Sequence, residues 1–163
     1  MTIVAITGTP GTGKTTIARL LHKKLKNSKI ISIKSLSKKC SSEYDKDRRC
    51  WIVDIKKLQK TVLRMIKNTP TSNKQKLYII DGHLSHLINF DIIILLRCNP
   101  KTLEKRLKKK GWSQKKIREN IEAEMVDVIK AEVLKTKRKY VEIDTTKKTP
   151  KKITNKLMKI LKD

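Results

Sequence analysis

The stretch Gly8-Thr9-Pro10-Gly11-Thr12-Gly13-Lys14-Thr15-Thr16 decides the fold. It fits the pattern G-x-x-x-x-G-K-[ST], and its surroundings fit as well. The apolar run Ile3-Val4-Ala5-Ile6 precedes it, and Ile17, Leu20, Leu21 and Leu25 follow at helical spacing. Strand, glycine turn and helix in that order make a phosphate-binding loop. The glycines let successive backbone N–H groups point into one concavity, and the helix N-terminus adds partial positive charge, so a polyphosphate is held there. Lys14 then reaches the β- and γ-phosphates, and the Thr15 hydroxyl completes a Mg²⁺ shell. Only 5 of 163 residues are glycine, and three lie in this loop. From the chain's own residue frequencies, a chance match is on the order of one in two hundred. A glycine turn without a ligand is the weaker reading.

A chain of 163 residues suffices for one domain with a real core. No run of 18 apolar residues predicts a transmembrane helix, and the N-terminus has no basic n-region, so no signal peptide is expected. Cys40, Cys50 and Cys98 are far apart and form no C-x-x-C pair, which suits a reduced, cytoplasmic setting. The net charge is +26, spread evenly: residues 1–96 carry 19 basic and 6 acidic side chains, residues 97–163 carry 22 and 9. No arm is concentrated for groove reading, and aromatics are only 4% of residues, too few for a stacking platform. DNA and membrane are therefore not expected partners. General lysine bias explains the charge better than a selected RNA-facing role, and the field attracts anionic nucleotides either way.

Periodicity alternates strand and helix. Strands are expected at Ile3–Thr7, Lys29–Ile33, Leu77–Asp81, Asp91–Leu96 and Tyr140–Ile143, and the near-continuous apolar runs suit a parallel sheet covered on both faces. Helices are expected over Lys14–Lys26, from an Asp54 N-cap with Leu58, Val62, Leu63 and Ile66 inward, and from Asn99-Pro100 to Lys110. Gly111 breaks that helix, Ser113 recaps, and one long helix runs toward Lys137. A terminal helix starts at Thr149-Pro150 with Ile153, Leu157, Ile160 and Leu161 on one face. Ser35–Arg49 reads as irregular with a helix turn at Leu36; Pro70 ends the helix after Asp54, and 69–76 is a loop. The result is an α/β sandwich on a five-stranded parallel sheet, with ligands at the carboxyl ends of the strands.

Asp81 closes a wholly apolar strand where a P-loop enzyme keeps its second metal-side carboxylate. His83 lies two residues on, placed to orient an attacking group or touch a phosphate; His86 and His22 read as incidental. Arg106, Lys108, Lys109 and Lys110 precede Gly111-Trp112 on a hinging helix–turn–helix, where cations neutralise a transferring phosphoryl group and exclude water. Arg106 and Lys110 are the favoured pair, with Lys108 and Lys109 on a solvated face. Arg97, directly after its strand, points toward the site mouth.

These residues resemble a known family. The loop Gly8–Thr16, the strand end Ile80-Asp81-Gly82-His83, Ile94-Leu95-Leu96-Arg97, and Arg106-Leu107 through Lys110-Gly111-Trp112 with Asn120-Ile121-Glu122-Ala123-Glu124 look like the adenylate kinase isoenzyme 6 family, over nearly the whole chain. The resemblance implies a P-loop NMP-kinase-like three-layer α/β/α sandwich with a short lid, one domain over 1–163. Ser32–Val53 forms the monophosphate-binding region and Lys109–Glu119 the lid. It implies an ATP- and Mg²⁺-dependent nucleoside monophosphate kinase of broad specificity, with AMP as the foremost acceptor and accompanying ATPase activity. By position, Gly11, Gly13, Lys14, Thr15 and Thr16 bind the ATP phosphates, Lys110 and Lys148 join them at the lid and adenine pocket, Thr15 and Asp81 serve the metal, and Lys14, Asp81, His83, Arg106 and Lys110 serve catalysis. The family acts in maturation of the small ribosomal subunit, which implies a small-subunit ribosomal protein or pre-ribosomal RNA as partner. Two departures stand out. Lys110 replaces the family's lid arginine, keeping charge without the bidentate fork. The monophosphate region interleaves Glu43, Asp45 and Asp47 with Lys46, Arg48 and Arg49 where the family is acidic, so a basic ribosomal partner meets repulsion from this chain. Two alternatives accompany the kinase reading: an ATPase-type ribosome assembly factor whose kinase activity is secondary, and a small-metabolite kinase on the same fold.

Overall fold

The computed structural model describes residues 1–47, 50–69, 77–88 and 90–161. In chain order it runs β1 (Thr2–Thr7), α1 (Lys14–Lys24), β2 (Ser28–Ser32), α2 (Ile33–Leu36), β3 (Ser41–Asp45), β4 (Cys50–Val53), α3 (Ile55–Lys67), β5 (Leu77–Asp81) and a 3₁₀ turn (Ser85–Leu87). It continues through β6 (Ile92–Arg97), α4 (Pro100–Lys109), α5 (Gln114–Met125), α6 (Val128–Lys135), β7 (Tyr140–Asp144) and α7 (Pro150–Ile160). Five strands form one parallel sheet in the order β2-β5-β1-β6-β7. This is the expected three-layer sandwich.

The apolar runs are buried on both faces because alternate residues feed different cores. Ile3 and Ala5 of β1, Tyr78 and Ile80 of β5, and Ile93 and Leu95 of β6 pack against Leu58, Val62 and Ile66 of α3 and Val133 of α6. Val4 and Ile6, Ile79, and Ile92, Ile94 and Leu96 face the opposite layer, made by Ile17, Ala18 and Leu21 of α1 and Ile153 and Leu157 of α7. Each Val, Leu and Ile among them contributes about 1.5–3 kcal/mol of burial. A third, smaller cluster holds the α4–α5 hairpin together through Leu103, Leu107, Ile117 and Cys98, with Trp112 and Ile121 against it. The register aligns Thr7 with Leu95, Ser32 and Ile6 with Asp81, and Arg97 with Asp144, so the carboxyl ends share one edge. From β1 the chain first crosses toward β2 and later toward β6, which makes that edge a topological switch point.

Two expectations change. The segment 35–49 carries β3, which pairs antiparallel with β4 in a separate ribbon; Tyr44 and Trp51 meet edge to face at 4.8 Å between ring centroids. The long helix toward Lys137 breaks into α5 and α6 at Asp127, whose backbone is left-handed at φ 58. The expected caps are present: Asp54, Asn99, Ser113 and Thr149 each accept a hydrogen bond from a first-turn N–H. The helix stop at Pro70 and most of the 69–76 loop lie outside the described residues, as do Arg48 and Arg49.

Candidate active site

The loop after β1 contrasts with every capped helix start. Gly13 stands at the N-cap of α1 with φ 103 and no side-chain cap, so the first-turn N–H groups face the mouth of the sheet. That is the arrangement an anion takes. Gly8 is required by close approach: a Cβ there would lie 2.2 Å from the Leu96 carbonyl oxygen. Lys14 Nζ donates to the Gly8 carbonyl at 2.8 Å and to the Thr9 carbonyl at 3.0 Å, which folds the ammonium over the loop. Burial lowers its pKa to about 8; Asp81 opposes the shift and Lys110 adds to it. A polyphosphate bound beside it would raise the pKa again by adding counter-charge in the same sense as Asp81.

At the end of β5, the Thr15 hydroxyl donates to Asp81 Oδ2 at 2.7 Å. Asp81 is only 4% exposed, and its Oδ1 is buried without a hydrogen-bond partner. An orphaned carboxylate oxygen beside a threonine hydroxyl suits a hard cation that takes oxygen ligands. No group of three or more His, Cys, Asp or Glu residues able to hold a metal occurs among the described residues.

His83 follows at the same mouth. The residue is exposed, yet desolvation by the strand ends, reinforced by Lys14 and His86, lowers its pKa to about 4 and keeps it neutral at pH 7. Its backbone is held: Thr7 Oγ1 donates to the His83 carbonyl at 3.0 Å. The same Thr7 oxygen lies 2.8 Å from His86 Nδ1, and His86 Nε2 lies 2.9 Å from Glu132 Oε2 of α6. His86 is 1% exposed. The residue read as incidental ties the turn after β5 to β1 and α6.

Beside the loop opens a cavity of about 500 Å³. Its lining includes Gly11, Gly13 and Thr16 of the loop and Lys109 and Lys110 at the end of α4. Its far wall is Ile17, Arg106, Thr145, Lys148, Pro150 and Ile153. Arg106 is fixed by two bonds, Nη1 to Thr145 Oγ1 at 3.1 Å and Nη2 to the Thr145 carbonyl at 2.8 Å. Lys109, expected on the solvated face, also lines the cavity, whereas Lys108 pairs with Glu104 at 2.6 Å on the outer side of α4. Lys14, Thr15, Asp81 and His83 are grouped at the strand mouth, outside this lining.

Arg97 departs from expectation most clearly. It does not reach for a ligand: Nε donates to Glu124 Oε1 at 2.8 Å, Nη2 donates to the Glu124 carbonyl at 3.1 Å and to Asp127, and Nη1 lies 3.7 Å from Glu142. Its partners lie 27 and more residues away, beyond any local pattern.

A phosphate loop without a capping side chain, a threonine–aspartate pair and a cavity lined by Arg106, Lys109, Lys110 and Lys148 define a P-loop nucleotide-binding protein. The comparisons with known proteins agree. An AAA domain model matches residues 4–127. A protein of Methanocaldococcus jannaschii named "Putative adenylate kinase" is 42% identical, over 98% of this chain and 85% of its own length; its namesake in Pyrococcus furiosus is 41% identical over 98% and 83%. Among solved structures, a deoxyadenosine kinase from M. mycoides superposes with TM-score 0.62 at 20% identity, covering 98% of both chains. Thymidylate kinase from Candida albicans gives 0.61 at 15% identity, over 99% and 91%; these two speak to the fold. The chain belongs to the archaeal adenylate kinase family, the one its sequence resembles.

Proposed function

We propose that this chain is a nucleotide kinase that moves the γ-phosphoryl group of ATP to a nucleoside monophosphate, ATP plus AMP giving two ADP, with slower transfer to water as an ATPase. The observation that carries it is the Thr15–Asp81 pair with one buried carboxylate oxygen unpartnered, set against a helix start that no side chain caps. The whole chain, 1–163, acts as one domain, with 32–53 receiving the monophosphate and 109–119 serving as lid.

In this reading the N–H groups of Gly11–Thr16 cradle the donor phosphates. Lys14 leaves the Gly8 and Thr9 carbonyls for the β- and γ-phosphates. Thr15 and Asp81 hold Mg²⁺, which neutralises charge on the phosphates when bound. Arg106, fixed by two bonds to Thr145, lines the cavity with Pro150 and Lys148; here it takes a place beside the base of the donor in addition to the phosphoryl-neutralising role expected of it, with Lys109 and Lys110 toward the phosphates. Neutral His83 accepts a hydrogen bond from the water that attacks in hydrolysis; in transfer the attacking group is a phosphate oxygen of the monophosphate, and positioning and charge neutralisation lower the barrier. The residues that take the acceptor follow β2, whose end sits next to Asp81.

A coupled assay with ATP and a panel of acceptors tests this: AMP, CMP and a shikimate-like alcohol. Acceleration by a monophosphate supports the reading. Acceleration by the alcohol alone replaces it with a small-metabolite kinase, and no acceleration by any acceptor refutes it.

A further inference from the structure

Glu124 is the most enclosed carboxylate that phosphoryl transfer leaves unassigned. It is 5% exposed, on the last turn of α5, and satisfies three donors from two other segments. Oε2 accepts from Thr9 Oγ1 at 2.5 Å. Oε1 accepts from Arg97 Nε at 2.8 Å and from the Cys98 backbone N–H at 3.0 Å. Thr9 in turn is the hub of the phosphate loop. Its side chain is 2% exposed, and its carbonyl receives Lys14 Nζ at 3.0 Å, Thr12 Oγ1 at 2.9 Å and the Thr12 N–H at 3.2 Å.

We propose that Glu124 is a positioning residue: it fixes the phosphate loop through Thr9 and thereby ties the root of the lid helix α5 to the donor-phosphate site. The local backbone is built to keep it there. Asp127 takes a left-handed conformation, unfavourable for a residue with a Cβ, and so ends α5, starts α6 and presents its own carboxylate to Arg97 Nη2. Arg97 is thus gripped from both sides of the kink, and Glu124 cannot withdraw without leaving a half-buried guanidinium short of a partner. The α4–α5 hairpin is pinned at this end, while its tip, Lys110 to Ser113, turns through Gly111 with φ 71. Lys109 and Lys110 near that tip line the donor cavity. The Glu124–Thr9 bond is a buried contact through which lid placement and loop geometry bias each other.

The activity readout rests on the kinase reading, so ATP·Mg²⁺ affinity is measured separately by calorimetry. Glu124→Ala strands Arg97 and risks misfolding, so the test uses Thr9→Val, Thr9→Ser and Glu124→Gln, each with a thermal midpoint. Thr9→Val is expected to weaken ATP binding at least tenfold and to lower kcat/KM for ATP on the order of a hundredfold, as a misplacement near 1 Å does, with the KM for the monophosphate unchanged. Thr9→Ser, which keeps the hydroxyl, recovers most of that loss. In the double variant Thr9→Val with Glu124→Gln the two losses are expected to combine less than multiplicatively, since the two side chains share the Thr9–Glu124 bond. Wild-type ATP affinity in Thr9→Val, or losses in the double variant that simply multiply, overturn the proposal. If wild type binds ATP yet transfers nothing to a monophosphate, the kinase reading fails while the affinity data still decide the role of Glu124.

Discussion

Replacing Gly8 with alanine isolates what the phosphate loop demands of its neighbours. The Cβ would stand 2.2 Å from the Leu96 carbonyl oxygen, where ordinary contact begins near 3.4 Å, so loop and strand must separate by about 1 Å. The neighbour cannot yield cheaply, because it is the backbone of a strand whose Leu96 is fully buried. Gly8 also has φ 134. Gly13→Ala is the matched control: φ is 103, but nothing lies within 4 Å of its Cβ. Conformation alone costs about 1–2 kcal/mol, and overpacking adds about 1–3 kcal/mol at Gly8. At roughly 2–4 °C per kcal/mol for a chain of this size, Gly13→Ala should lower Tm by roughly 2–8 °C and Gly8→Ala by roughly 4–20 °C. Thermal unfolding of both variants, with calorimetric ATP binding, is the assay. Equal destabilisation, or a Gly8→Ala variant with native ATP affinity, would refute the close approach between loop and β6.

Asp81→Asn keeps the Thr15 contact but removes the charge; kcat/KM is expected to fall on the order of a hundredfold and the Mg²⁺ requirement to rise, read from metal titrations of the rate. His83→Ala is expected to cut ATP hydrolysis roughly tenfold or more while sparing transfer to a monophosphate, checked by running both assays on one preparation. Burial lowers the pKa of His86 against the opposing pull of Glu132. The unfolded chain therefore binds a proton near pH 6.5 that the folded chain refuses, so this group's contribution to stability falls as pH drops below that value. His86→Gln is expected to flatten part of the Tm decline between pH 7 and 5, and an unchanged slope would contradict the shift.

Much of the sheet was legible because its strands are buried on both faces: Leu77–Asp81 and Ile92–Leu96 are apolar runs too short for helices. The β3–β4 ribbon was not, because Tyr44, Trp51 and Ile52 stay exposed and no one-sided core imposes a period of two. The break at Asp127 carries no glycine or proline; a non-glycine residue holds the left-handed conformation because Arg97 binds its carboxylate. The phosphate loop, Asp81 and the cations before Gly111 announced themselves through local motif and strand position. His86, Arg97, Glu124 and Thr145 did not, since each acts through a partner 27 to 115 residues away. One signal was available for Thr145: it directly follows a strand, at the carboxyl edge where ligands gather.

Product stoichiometry tests the central claim most directly. With ATP, AMP and Mg²⁺, phosphorus NMR of the wild-type reaction should show two ADP formed per ATP consumed, little inorganic phosphate, and no reaction in Lys14→Ala. One ADP and one inorganic phosphate per ATP, at a rate indifferent to AMP, would contradict the account and leave a nucleotide-hydrolysing protein in its place.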